Sequence, residues 1–214
     1  MPISHTHRCV FVHIPKTGGT SIETALGMFH RWQDENTKAM FGLVQSPALK
    51  QHGWTSDFLQ HLSYTELASV VPITTLRGYF SFAWVRNPWE RLVSVYSNTD
   101  PNLLQHAAAL GVQLKGLKFA DFVAATAGIA HVHLQPQHGF IHDAQGRQQV
   151  DFVGRFENFA QNFSTVTQRL GLTVELPHKN ASRHAAYREL YDSHTRQAVA
   201  QRYGADIEQW GYVF

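Results

Sequence analysis

A short strand that runs through a two-glycine loop into a helix constrains this chain more than any other feature. Residues 8–14 read RCVFVHI, an apolar and largely β-branched run of the length expected for a buried strand. Pro15 to Gly19 stop it, and from Thr20 the pattern turns helical, with Ile22, Ala25, Leu26 and Phe29 on one face. Across VHIPKTGGTSIE (12–23) the glycines let the backbone bend tightly and approach a ligand closely. Main-chain N–H groups then converge at the positive end of the helix dipole. Lys16 adds a full charge, and Thr17, Thr20 and Ser21 add hydroxyls. The segment therefore reads as an anion cradle for a phosphate or phosphosulfate. A nucleoside-triphosphate loop, GxxxxGK[ST], places its lysine after the last glycine; here Lys16 precedes Gly18 and Gly19, and the pattern fails. The plainer alternative is a glycine turn with a solvated lysine. The buried strand ahead of PKTGGTS makes that the minority reading.

The rest of the chain repeats strand and helix. Residues 79–85, YFSFAWV, predict a second buried strand, and Val150–Val153 a third. Asn87 as N-cap and Pro88 at the first helical position start a helix that runs to about Ser97. Ser63 and Glu66 form a capping-box pattern for a helix to Val70, which Pro72 ends. Further helices are expected over 119–127, over 158–170 with Gly171 closing it, and as one longer stretch over 184–203. Trp210, Tyr212 and Phe214 are expected to pack back on the core. Strands separated by helices predict an α/β fold with a central parallel sheet flanked by helices. In such folds ligands sit beyond the carboxyl ends of the strands. With 214 residues the expectation is one domain over 1–214.

Composition excludes several functions. The net charge of +2 is too small for nucleic acid without a basic stripe, so any anion site must come from local placement of Lys and Arg. Cys9, the one cysteine, lies in an apolar run and reads as core. The fourteen histidines show no HExxH or Cys/His spacing, so no metal site is expected. No apolar run approaches the ~20 residues of a membrane span, and the first eight residues lack a signal-peptide core; a cytoplasmic protein is the default expectation.

Arg86 leaves the end of the second strand and Ser94 lies two helical turns further on. A guanidinium with a nearby hydroxyl suits a second phosphate, whereas the competing reading is a structural ion pair. Arg91 is left out, because an acid such as Glu90 could equally pair with it. PKTGGTSIE and VRNPWERLVSVYS resemble the 5′-phosphosulfate and 3′-phosphate motifs of sulfotransferases that use 3′-phosphoadenosine 5′-phosphosulfate (PAPS). DFVGRFENF (151–159), LPHKN (176–180) and the closing DIEQWGYVF are similar to the same family, in its carbohydrate (heparan and chondroitin type) branch with small bacterial members. The resemblance implies that Lys16, Thr17, Gly18, Gly19, Thr20 and Ser21 hold the phosphosulfate. It implies that Arg86 and Ser94 hold the 3′-phosphate, and that Lys179 lies where relatives close a loop over the nucleotide. The match at Arg155 is balanced by a pair with Glu157 or Asp151.

The function this resemblance implies is sulfuryl transfer from PAPS to a hydroxyl, expected on a saccharide. Lys16 is the residue to offset charge on the leaving oxygen, with no metal required. The acceptor must lose a proton to a base. His61, in HLSYTEL, resembles the catalytic histidine of heparan-type enzymes; His52 is its rival, and Glu66 and Glu35 stay open. Trp54, His131, His133, Gln135, Gln137 and His138 could line a sugar cleft, although packing or solvation is favoured for each. A kinase-like phosphotransferase and a non-catalytic nucleotide-binding module are the alternatives.

Overall fold

The computed structural model describes residues 3–28, 60–176 and 184–214. Glu35, His52, Trp54 and Lys179 lie outside the described residues. Two compact units are interleaved in the chain: Met1–Val85 with Gly139–Asn180, and Arg86–His138 with Ala181–Phe214.

The first unit holds the sheet. Strands β1 (Ile3–Ser4), β2 (Cys9–Val12), β3 (Phe80–Val85) and β4 (Phe152–Arg155) lie in the order β1-β2-β3-β4. β2, β3 and β4 run parallel, with Phe11 opposite Phe82 and Phe82 opposite Phe152. β1 is an antiparallel edge of two residues that the sequence did not announce, since Ile3 and Ser4 precede a His-rich turn too short for any periodicity. β4 begins two residues later than expected. The Asp151 N–H donates to the Ser81 carbonyl at 2.9 Å, while its side chain, and not a main-chain carbonyl, takes the N–H and the hydroxyl of Ser81, both at 2.7 Å.

Helix α1 (Gly19–Ala25) follows β2. Between β2 and β3 come α2 (Tyr64–Val70), with the expected Ser63–Glu66 capping box, and α3 (Ile73–Arg77). β4 leads to Phe159–Leu170, which Gly171 closes in the left-handed conformation at φ 66°. Cys9, Phe11, Phe82 and Trp84 on one sheet face pack with Ile22 and Leu26 of α1 and with Phe163 and Val166. Burial pushes the Cys9 thiol up to about 12, so it is a core side chain and no nucleophile.

The second unit is helical. α4 (Pro88–Ser97) starts on its expected Asn87 cap, whose side chain accepts from the N–H of Trp89. α5 (Pro101–Ala109) and α6 (Phe119–Ala125) follow; α5 rests on an Asp100 cap with Pro101 behind it, an unused helix-start signal in the sequence. With Phe159–Leu170 as α7, the unit ends in α8 (Ser193–Arg202) and α9 (Gly204–Trp210). The single helix expected over 184–203 is two pieces: a 3₁₀ segment His184–Leu190, then α8. Asp192 and Thr195 form a reciprocal capping box, and that side-chain competition for the backbone starts a new helix. No helix among the described residues is long and apolar enough to cross a membrane.

Candidate active site

Chain direction and hydrogen bonding place the cradle. β2 and β3 end side by side, with Val12 opposite Ala83; the glycine loop follows one strand in the chain and Arg86 follows the other. α1 begins on Gly18, at φ 86°, with no side-chain cap and no acid in its first turn. The first N–H groups of a helix have no intrahelical partner, so an anion at this end meets donors and no competing carboxylate. Lys16 is half-buried at φ 68°, a left-handed conformation that costs a residue with a side chain about 1–3 kcal/mol. Both glycines are required by space. A Cβ on Gly18 would lie 2.6 Å from the Phe159 ring, and one on Gly19 2.2 Å from the His13 ring. Thr17 is fully buried and its hydroxyl donates to the Ile14 carbonyl at 2.8 Å, so the side chain shapes the loop. Thr20 is exposed and Ser21 half-buried in the first turn of α1.

Beneath this loop lies a buried polar cluster that sequence reasoning missed. His13 Nδ1 is 2.8 Å from Glu23 Oε1, and Glu23 is fully buried on α1. The Gln60 amide lies 3.0 Å from the same His13 nitrogen and 3.3 Å from each Glu23 oxygen. The shortest contact decides the protons: His13 Nδ1–H donates to Glu23, and Gln60 donates to the carboxylate. His61, 8% exposed, joins them, its Nδ1 2.8 Å from the His13 carbonyl and its ring edge-on to the His13 ring at 4.6 Å. A carbonyl only accepts, so His61 Nδ1 carries the hydrogen, and in the neutral ring Nε2 keeps the lone pair. The signal in the sequence was a histidine at the end of an apolar strand and a glutamate beside the apolar face of α1.

Glu66 has a local role: its carboxylate accepts from the Ser63 N–H and hydroxyl, both at 2.7 Å. Arg155 lies 3.8 Å from Glu157, the structural pairing weighed for it.

In the second unit Arg86 is 2% exposed, and its guanidinium meets Glu90 Oε1 at 2.8 Å. Glu90 and the half-buried Ser94 lie four residues apart on one side of α4, and Arg86, ahead of the helix, pairs with the nearer of them. Arg91 is no surface residue. It is buried and donates to the carbonyls of His133 and Gln135, and burial lowers its pKa. Gln137, fully buried, binds both sides of the Arg86 main chain, and Asp206 holds Gln137 and His138. That hydrogen bond to Asp206 holds the His138 imidazole above its usual range, against the opposing pull of burial. His131 is shifted downward by burial and by the neighbouring His106. Among the described residues no group of three or more His, Cys, Asp or Glu is arranged to hold a metal ion.

No curated protein and no solved structure matches the chain significantly. The model of the family described as "Sulfotransferase family" matches residues 1–213, which takes in the glycine loop, the Arg86 turn and the closing helix alike. The chain belongs to the sulfotransferase family.

Proposed function

We propose that this sulfotransferase moves a sulfuryl group from PAPS to a hydroxyl of a saccharide. The observation that carries the reading is the uncapped, acid-free start of α1 above a strained Lys16 loop, in a chain of this family. Both units serve as one domain in this reading, since the family match spans them. Lys16 with the main chain of residues 17–20 and the hydroxyls of Thr20 and Ser21 holds the phosphosulfate; the Ser21 N–H already donates to the Gly18 carbonyl at 3.1 Å. Arg86 and Ser94 hold the 3′-phosphate, which must share Arg86 with Glu90 or displace it. Lys179 is assigned to the nucleotide on family resemblance alone.

PAPS supplies an activated sulfuryl group on a good leaving group. The acceptor oxygen forms a bond to sulfur as the bond from sulfur to the phosphate oxygen breaks. The Lys16 ammonium offsets the charge that gathers on that oxygen. The acceptor proton passes to His61 Nε2, the ring nitrogen left with a lone pair by the Nδ1 contact to His13. The saccharide is the part of the proposal that rests most on resemblance.

Turnover of PAPS against a panel of glycans tests this reading, with adenosine 3′,5′-bisphosphate and ATP compared in direct binding. Selective binding of the bisphosphate and sulfation of a glycan are expected. Equal affinity for ATP would favour a phosphotransferase, and bisphosphate binding with no transfer to any acceptor a non-catalytic module.

A further inference from the structure

Arg86 occupies an awkward place in the chain. It follows the last residue of β3 and precedes the N-cap of α4, so neither a ladder nor a helix takes its main-chain groups. Gln137 takes them instead. The Arg86 N–H donates to Gln137 Oε1 at 2.9 Å, and Gln137 Nε2 donates to the Arg86 carbonyl at 2.8 Å. One amide thus fixes the two peptide planes that flank the Arg86 Cα, and these planes set the direction in which its side chain leaves.

Gln137 is itself immobilised. Its own N–H donates to Asp206 Oδ2 at 2.7 Å, and the next residue, His138, brings its N–H to Asp206 Oδ1 at 2.9 Å and its ring Nδ1 to the same oxygen at 3.0 Å. Gln137 and Asp206 are both fully buried, and a carboxylate there requires such donors. From the other side, Arg91 of α4 grips the carbonyls of His133 and Gln135. The 133–138 segment, for whose residues packing was favoured over a sugar cleft, braces the start of α4.

We propose that Gln137, anchored by Asp206, is a positioning residue that aims Arg86 at the 3′-phosphate of the nucleotide, so that recognition of that phosphate depends on a side chain that does not touch it. The inference rests on the assignment of Arg86 to the 3′-phosphate.

The test compares affinities for adenosine 3′,5′-bisphosphate and adenosine 5′-monophosphate, which differ only in the group Arg86 would hold. Calorimetry on the full chain is run for the wild type, Gln137→Ala, Arg86→Ala and the double variant. Gln137→Ala is expected to weaken the bisphosphate on the order of tenfold, the effect of a lost buried hydrogen bond, while the monophosphate stays within about twofold. In the Arg86→Ala background Gln137→Ala is expected to change neither affinity further. An equal fall for both nucleotides overturns the positioning role, because a general loosening of the fold does that. If Arg86→Ala abolishes the bisphosphate preference and Gln137→Ala keeps it, the inference fails while the 3′-phosphate assignment stands. If Arg86→Ala keeps the preference, the assignment fails and the inference with it. Should Gln137→Ala not fold, Gln137→Asn keeps the amide with a shorter reach and is read in the same way. Failure of both to fold marks Gln137 as structural and overturns the proposal.

Discussion

A histidine acts as a base through a ring nitrogen that carries no hydrogen, and the contact of His61 Nδ1 with the His13 carbonyl puts the hydrogen of the neutral ring on Nδ1, so Nε2 is the nitrogen proposed to take the acceptor proton. His61→Ala should therefore lower turnover by roughly 10²–10⁴-fold, the usual effect of a lost general base, and leave binding of adenosine 3′,5′-bisphosphate nearly intact. Lys16→Ala should damage both, because in the proposed reading the ammonium meets the ground-state phosphosulfate as well as the developing charge. Steady-state transfer with binding measured separately distinguishes the two; near-normal turnover in His61→Ala removes it as the base. Glu23 carries a different expectation. Its removal leaves His13 and Gln60 buried without their carboxylate, so Glu23→Ala should destabilise the protein by about 3 kcal/mol in urea unfolding. A loss below about 1 kcal/mol would mean that the cluster repairs itself, with water or another partner. His138 adds a pH dependence. Its folded pKa is raised by Asp206, so its contribution is full below its ordinary value of 6.5 and is lost as pH rises through the raised value. His138→Ala should thus lower the urea midpoint more at about pH 5.5 than at about pH 8.5. Equal losses at both pH values would contradict that assignment.

Elements explain why some of this was legible in the sequence and some was not. Caps write themselves into local sequence, so Ser63–Glu66, Asn87–Pro88 and Gly171 were readable from a few neighbouring residues. The glycine loop was readable for the same reason. What lay beyond reach were contacts between distant residues. Gln137 meets Arg86 across 51 positions, and Gln60 meets His13 across 47. Arg91 read as a partner for a nearby acid such as Glu90, because the carbonyls it holds lie more than forty residues away. The helix break at Asp192 went unread although its signal is local: Asp192 and Thr195 form a capping box inside the stretch read as one helix. At the loop itself, Gly19 is pressed on the His13 ring, which its hydrogen bond to the buried Glu23 holds in place. Gly19→Ala should cost about 1–3 kcal/mol by overpacking and displace the start of α1, with nucleotide affinity falling at the same time. A variant with unchanged unfolding free energy would show that His13 has room to move after all.

At the scale of the whole molecule, a ligand that binds only the folded chain raises its stability by an amount set by concentration and affinity alone. At 100 times its dissociation constant, adenosine 3′,5′-bisphosphate should add about 2.7 kcal/mol. For a chain of 214 residues each kcal/mol moves the thermal midpoint by about 2–4 °C, so a rise of about 5–10 °C is expected. Adenosine 5′-monophosphate at the same concentration should raise it far less, because Arg86 and Ser94 then have no phosphate to hold. Lys16→Ala should reduce the response to both nucleotides, since both carry the 5′-phosphate that the glycine loop is proposed to hold. Arg86→Ala should reduce only the excess produced by the bisphosphate. The two losses are thus separable in one scan series, in which each variant is compared with its own unliganded midpoint. Equal rises from both nucleotides in the wild type would remove the case for a dedicated 3′-phosphate site. A rise from the bisphosphate that survives Lys16→Ala unchanged would remove Lys16 from the site.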